Sequence, residues 1–296
     1  MILAIDIGGT NFRVAVSTES GQLVKVVRRS TDANQGAPWM IDQLSGLVAD
    51  LSTHRFRAIG IGFGGPVDYG SQRIINSTHV AGWDDVALGE ILSNQAGVPS
   101  VIDNDANFGA LGEFAYGAGR GSRHMVYYTV STGIGGGIIL DGDVYRGANG
   151  NAGELGHVPI LKGSPKCACG NVGCLEALCS GPAIGARGSR RLGQPGLSAK
   201  DVFDLARNGD TKALSFVTET AEYLGMGIAS AINTLAPDRV VVGGGVARAG
   251  KVLFDPLRAS VRDRVMPVHR KEVRILPAKR GDRAVLLGAV AAACRL

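Results

Sequence analysis

Gly153–Glu176 reads GELGHVPILKGSPKCACGNVGCLE and holds three of the chain's five cysteines, Cys167, Cys169 and Cys174. His157 stands ten residues before the first of them. Three thiols and one imidazole are the donor set of a closed, four-coordinate zinc site. Gly163, Gly170 and Gly173 supply the tight turns that let such near neighbours converge on one ion. The alternative is cysteines packed as small hydrophobes, but Pro165, Lys166 and three glycines make a poor core segment. The expectation is a structural Zn2+ on His157, Cys167, Cys169 and Cys174, with Glu154 and Glu176 fixed in space on either side of it.

Outward from this stretch, 296 residues are long for one core and suit two domains. A composition of 45% hydrophobic and 19% charged residues is that of a globular protein. The 44 glycines are about twice the usual share and fall in short clusters, the pattern of backbone loops closing on a ligand. A net charge of +5, with arginines such as Arg262, Arg264 and Arg270 spread through the C-terminal part, favours a solvated basic face over a nucleic-acid site. The start, MILAIDIGGT, lacks a basic leader region and meets glycine after a short apolar run, so it does not read as a signal peptide. No apolar run reaches membrane-spanning length. Free or zinc-bound thiols fit a reducing cytoplasm.

At the N-terminus, strands over Ile2–Ile7, 12–17 and 22–27 predict a β-meander, not strand–turn–helix. Asp6 ends the first strand, where a carboxylate can face a metal ion. Gly8, Gly9 and Thr10 offer backbone N–H groups and a hydroxyl to phosphate oxygens; a plain tight hairpin is the competing reading. A helix follows over 40–51, then a strand over Ala58–Phe63. Gly60, Gly62 and Gly65 match a dinucleotide GxGxxG pattern, but Pro66 and the polar stretch after it open no helix for a pyrophosphate. These glycines are expected to admit a small substrate instead.

The junction Asp103-Asn104-Asp105-Ala106-Asn107 lies between a short strand and a helix predicted over 108–116. One acid suffices to cap a helix. The second, Asp105, is the candidate general base. Ser131–Gly137 is a further glycine loop between strands over Met125–Val130 and 138–140, repeating the N-terminal design. The Gly-, Arg- and Ser-rich segment 181–196 reads as a mobile connection. Helices are predicted over 198–206, 213–235 and 284–294, and a strand over 239–242 running into Gly243-Gly244-Gly245, where a flat ring could lie on backbone.

Together these pieces resemble the ROK family of bacterial sugar kinases and repressors, its glucokinases in particular. DIGGT at Asp6–Thr10, GGPVD at Gly64–Asp68, DNDAN at Asp103–Asn107, STGIGGG at Ser131–Gly137, GELGH at Gly153–His157 and CACGNVGCLE at Cys167–Glu176 carry the likeness across almost the whole chain. The resemblance implies an α/β, two-lobed actin-like ATPase (ribonuclease-H-like) fold with a cleft between the lobes. It implies a smaller lobe, residues 1–107 rejoined by the terminal helix at about 284–296, and a larger lobe, 108–283, carrying the zinc motif. The implied reaction is ATP-dependent phosphorylation of a hexose 6-hydroxyl, glucose first, with Mg2+, and the implied assembly is a homodimer without nucleic-acid or membrane partners. Asp105 would accept the hydroxyl proton, and Gly65, Asn76, Asn104, Glu154, His157 and Glu176 would hold the sugar. Asp6 would assist Mg2+; Gly8, Gly9, Thr10, Thr132 and Gly133 would face phosphates; Gly244 would lie near adenosine. His157, Cys167, Cys169 and Cys174 match the family's zinc ligands. Asn11 and Ser131 depart from the residues frequent at those positions, without removing a group the chemistry requires.

Two rivals stand beside this reading. A sugar-sensing repressor of the same family would need an N-terminal DNA-binding domain, for which a phosphate loop starting at Asp6 leaves no room. A kinase for N-acetylglucosamine, N-acetylmannosamine, mannose or fructose would keep the chemistry and change the sugar.

Overall fold

The computed structural model describes residues 1–77, 80–163 and 165–296. Thr78 and His79, in the polar stretch expected to open no helix, lie outside the described residues. The first lobe starts with β1 (Ile2–Ile7), buried along its length, followed by β2 (Asn11–Ser17) and β3 (Leu23–Ser30). The pairings are antiparallel, Ile2 opposite Ser17 and Asn11 opposite Ser30, as the meander predicts. Helix α1 (Gly36–Leu51) starts earlier than its apolar spacing and buries Met40, Leu44, Leu47 and Leu51. Then come β4 (Ala58–Phe63), the small hairpin β5 (Val67–Asp68) and β6 (Arg73–Ile74), α2 (Leu88–Ala96) and β7 (Ser100–Asn104). Strands β4 and β7 add in parallel, giving the order β3-β2-β1-β4-β7.

Helix α3 (Asp105–Tyr116) leads into the second lobe, whose sheet opens with β8 (Met125–Val130), β9 (Ile134–Leu140) and β10 (Asp143–Val144). Four helices follow: α4 (Leu175–Cys179), α5 (Gly181–Leu192), α6 (Ala199–Arg207) and α7 (Thr211–Leu235). The chain closes through β11 (Arg239–Gly243), α8 (Lys251–Arg264), β12 (Arg274–Pro277) and α9 (Ala284–Ala293). The order β10-β9-β8-β11-β12, an antiparallel meander plus two parallel strands, repeats that of the first sheet. The β1–β2 and β8–β9 turns are therefore equivalent features of two like sheets.

Three sequence expectations need correction. Most of the segment 181–196 is not a mobile connection but helix α5, Gly181–Leu192, capped by Ser180 and ended by Gly193 at φ 68°. Its glycines serve packing: a Cβ at Gly185 would lie 2.6 Å from the Leu197 carbonyl, and one at Gly188 2.5 Å from Val202. Likewise Gly135–Gly137 belong to β9, not to a loop. Gly137 faces the Cβ of Ala110 on α3, where an added Cβ would come within 2.6 Å.

Nor do Gly60 and Gly62 admit a substrate. They seat α9 on β4: a Cβ at Gly60 would meet the Ala289 carbonyl at 2.1 Å, and one at Gly62 the Val285 side chain at 2.6 Å. Helices α9 and α3 touch backbone to backbone through Gly288 and Gly112. Their buried faces share one core with strands of both sheets, including Ala4, Phe108, Tyr127 and Val290. That core fixes the relation of the lobes and opens the cleft between the two glycine turns.

Candidate active site

The cleft has a volume of about 700 Å³. Gly8, Gly9 and Thr10 line it from the first lobe's turn, and Ser131, Thr132 and Gly133 from the second lobe's. Gly65, Asn104, Asp105, Glu154, His157 and Glu176 complete the wall between them. Of the residues expected at the site, three stand apart from this lining. Asn76 is exposed, and its carbonyl lies near Gly65. Gly244 packs at φ +82° on the Val130 backbone. Asp6 is buried and paired with Arg13, whose other nitrogen reaches the Asp282 carbonyl.

The β7–α3 junction is held by hydrogen bonds from both sides. Asn104 caps α3, its Oδ1 accepting the Ala106 N–H at 2.8 Å, while its Nδ2 donates to the Gly65 carbonyl at 3.0 Å. Neither acid of the motif is the cap. Asp103 is buried and accepts the Asn104 N–H at 2.7 Å and Asn107 Nδ2 at 2.9 Å. Asp105 is half-buried on the cleft floor, with Gly64 and its neighbour Gly8 close behind. Burial pushes the Asp105 carboxyl up to about 7, with the charges of Asp6 and Glu154 adding to the rise. A carboxylate poised near neutrality is suited to accept a proton from a hydroxyl. Asp6 is likewise raised by burial, against the opposing pull of Arg13.

On the opposite wall, a short turn over Leu155–His157 points the imidazole between two sets of partners. Nδ1 lies 3.7 Å from Cys167 Sγ, and Nε2 lies 3.8 Å from Glu154 Oε2 on the cleft side. The donor atoms of His157, Cys167, Cys169 and Cys174 all fall within 4.8 Å of one another. Cys169 and Cys174 sulfurs are 3.7 Å apart, close to the edge of about 3.8 Å that a tetrahedron with Zn–S bonds of about 2.3 Å requires. The four donors therefore fit zinc with no open position. The hairpin that gathers them is closed by the Cys167 N–H to Asn171 carbonyl bond at 2.8 Å and a Pro159–Cys174 bridge. Buried Leu175 anchors it against Gly227 of α7.

Glu176, next along, joins this knot to the second glycine turn. Its Oε2 accepts the Ile134 N–H at 2.8 Å, and Oε1 lies 3.9 Å from Cys167 Sγ. A second cavity, of about 660 Å³, adjoins the cleft through Ser131 and Thr132. Pro182, Leu197, Phe203, Val246 and Ala249 give it apolar walls, and Gly245 rather than Gly244 faces it. Sequence reasoning missed this chamber because part of its wall, Gly181, Pro182 and Gly185, lies on α5, where composition suggested a loop. The helix expected from the serine at 198 is α6, capped by Ser198, and it supplies the chamber's facing side.

Two like sheets hinged on α3 and α9, with a glycine turn from each facing one cleft, define the actin-like class of two-lobed ATPase folds. The chain belongs to the ROK family, whose model matches residues 2–295. It is 34% identical to a glucokinase of Thermotoga maritima over 97% of this chain and 95% of that one. Its fold matches a ROK hexokinase from Thermus thermophilus at TM-score 0.88 and 34% identity, covering 99% and 98% of the two chains. It also matches a ROK family glucokinase from Streptomyces griseus, solved with glucose and AMPPNP, at TM-score 0.84 and 31% identity, covering 100% and 99%.

Proposed function

We propose that the protein is an ATP-dependent hexokinase that phosphorylates the 6-hydroxyl of glucose. The observation that carries the reading is the Asp105 carboxylate, raised to about 7 on the floor of a cleft with glycine turns on both sides. The sugar lies against Gly65, Asn104, Glu154, His157 and Glu176, with its 6-hydroxyl toward Asp105. The adenosine occupies the apolar chamber beside Phe203 and Gly245, and its phosphates pass Ser131 and Thr132 toward Gly8–Thr10. Asp105 takes the hydroxyl proton as the sugar oxygen bonds to the γ-phosphorus and the bond to ADP breaks. Backbone N–H groups of both turns meet the phosphate charge, which in phosphoryl transfer matters more than covalent help. Mg2+ enters with ATP, and Asp6, held by Arg13, is its nearest proposed partner in the first lobe.

Zn2+ on His157, Cys167, Cys169 and Cys174 supplies rigidity to the sugar wall. His157 serves both sides, Nδ1 toward the thiols and Nε2 toward Glu154 and the sugar. The lobes divide as 1–107 with 284–296, against 108–283, in keeping with the packing of α9 on β4. A cytoplasmic homodimer completes the reading; five cysteines outside any disulfide, three of them the proposed zinc ligands, agree with a reducing compartment. Among the described residues no helix is long and apolar enough to cross a membrane.

The test is ADP release from Mg-ATP across hexoses and N-acetylhexosamines. Glucose-dependent turnover supports the reading. Turnover with an acetylated sugar alone moves the substrate and keeps the chemistry, and silence with every sugar in zinc-replete protein favours a sensor.

A further inference from the structure

Arg146 follows β10 in the second lobe, yet its side chain is engaged with the first. Its Nε and Nη2 lie 2.9 and 2.8 Å from Asp103 Oδ2. The guanidinium is stacked on Tyr69, 3.5 Å from the ring centroid, in the β5–β6 hairpin. Nη1 reaches back to the Val144 carbonyl at 3.2 Å. The Arg146 carbonyl accepts the Ala152 N–H at 3.0 Å, closing the loop that brings Gly153 and Glu154 to the cleft.

Asp103 is 2% exposed. With Arg146 on one oxygen and the Asn104 N–H and Asn107 amide on the other, its carboxylate is saturated. The backbone it fixes is that of Asn104, the residue directly before Asp105. A planar, stacked fork gives this contact a direction that an ammonium group cannot reproduce.

We infer that Arg146 is a positioning residue, which ties the strand end carrying Asp105 to the loop carrying Glu154 and so sets the base against the sugar hydroxyl. The inference rests on the reading of Asp105 as the base. Arg146 touches no reacting atom. Its effect passes through Asp103 to the register of Asp105, and through its own carbonyl to the Glu154 loop. A displacement of about 1 Å at a reacting group costs on the order of 100-fold in rate.

The experiment compares Arg146→Lys, Asp105→Asn and the two combined, each with thermal midpoint and zinc content measured to confirm a folded protein. Arg146→Lys is expected to lower kcat about 10–100-fold while leaving the KM for Mg-ATP unchanged. In the Asp105→Asn background the same change should lower kcat no further, because the group it positions is gone. Wild-type kcat in Arg146→Lys would overturn the inference, as would a full further loss in the combined variant. Wild-type turnover in Asp105→Asn itself would instead remove the base assignment beneath it. If Arg146→Lys does not fold, Arg146→Met with Asp103→Asn removes both charges together and carries the same comparison.

Discussion

Glu176 Oε2 accepts the Ile134 backbone N–H at 2.8 Å, so one carboxylate spans the cysteine knot and the second lobe's glycine turn. A Cβ at Gly133 would lie 2.6 Å from that same oxygen, which shows how closely the turn is drawn down. A hydrogen bond to a charged acceptor contributes about 1.5–3 kcal/mol. Glu176→Ala should therefore raise the KM for glucose and for ATP together, by roughly ten-fold or more. Steady-state kinetics on both substrates check this, and a change confined to glucose would detach Glu176 from the turn.

Removal of zinc should act through the same wall. Chelation, or Cys174→Ser, is expected to raise the glucose KM by about ten-fold or more, the scale seen when support behind a ligand is lost. Zinc content and glucose affinity should fall together and recover together on adding the metal back. No change in glucose affinity after complete metal loss would separate the knot from the sugar site.

Asp105 links activity to pH. Its raised carboxyl predicts that kcat falls on the acid side, with a midpoint near about 7. For stability the sign is opposite to that of a salt-bridged acid. Between the ordinary value of 3.8 and about 7 the folded state binds more protons at this site than the unfolded state, so stability falls as pH rises through that window. Asp105→Asn should accordingly raise the melting temperature of the unliganded protein at pH 8, by several degrees, and by less at pH 5. Thermal scans at the two pH values test it; equal midpoints for variant and wild type at both would contradict the burial of that charge.

Two glycines give an opposed pair of outcomes. A Cβ at Gly288 would lie 1.8 Å from the Phe108 carbonyl, whereas one at Gly46, exposed on α1, meets nothing within 4 Å. Gly288→Ala should destabilise by about 3 kcal/mol or more through the α3–α9 contact. Gly46→Ala should stabilise by about 1 kcal/mol from helix propensity alone. Denaturant melts of both variants measure the difference.

The chemistry was legible in the sequence wherever reactive side chains are neighbours in the chain. The thiols with His157, the Asp103–Asn107 junction and the two hydroxyl-bearing glycine turns were all visible, as was the meander from short strands separated by turn residues. What could not be read was which glycines face a ligand and which face a helix. Gly60, Gly62 and Gly137 owe their identity to α9 and α3, distant in sequence, and the glycines of α5 to α6. Composition made Gly137 and the α5 glycines look like loops, and made the strand glycines Gly60 and Gly62 look like substrate contacts. Arg13 and Arg146 were missed for the same reason, since an isolated arginine carries no local sign of the carboxylate it will meet across the fold.

The central claim is tested most directly by glucose 6-phosphate formation in Asp105→Asn at saturating glucose and Mg-ATP, with glucose affinity measured on the same preparation. The account predicts a loss of about 10²–10⁴-fold in kcat with glucose binding retained. Turnover near that of the wild type would contradict it, and the base would have to be sought elsewhere in the cleft.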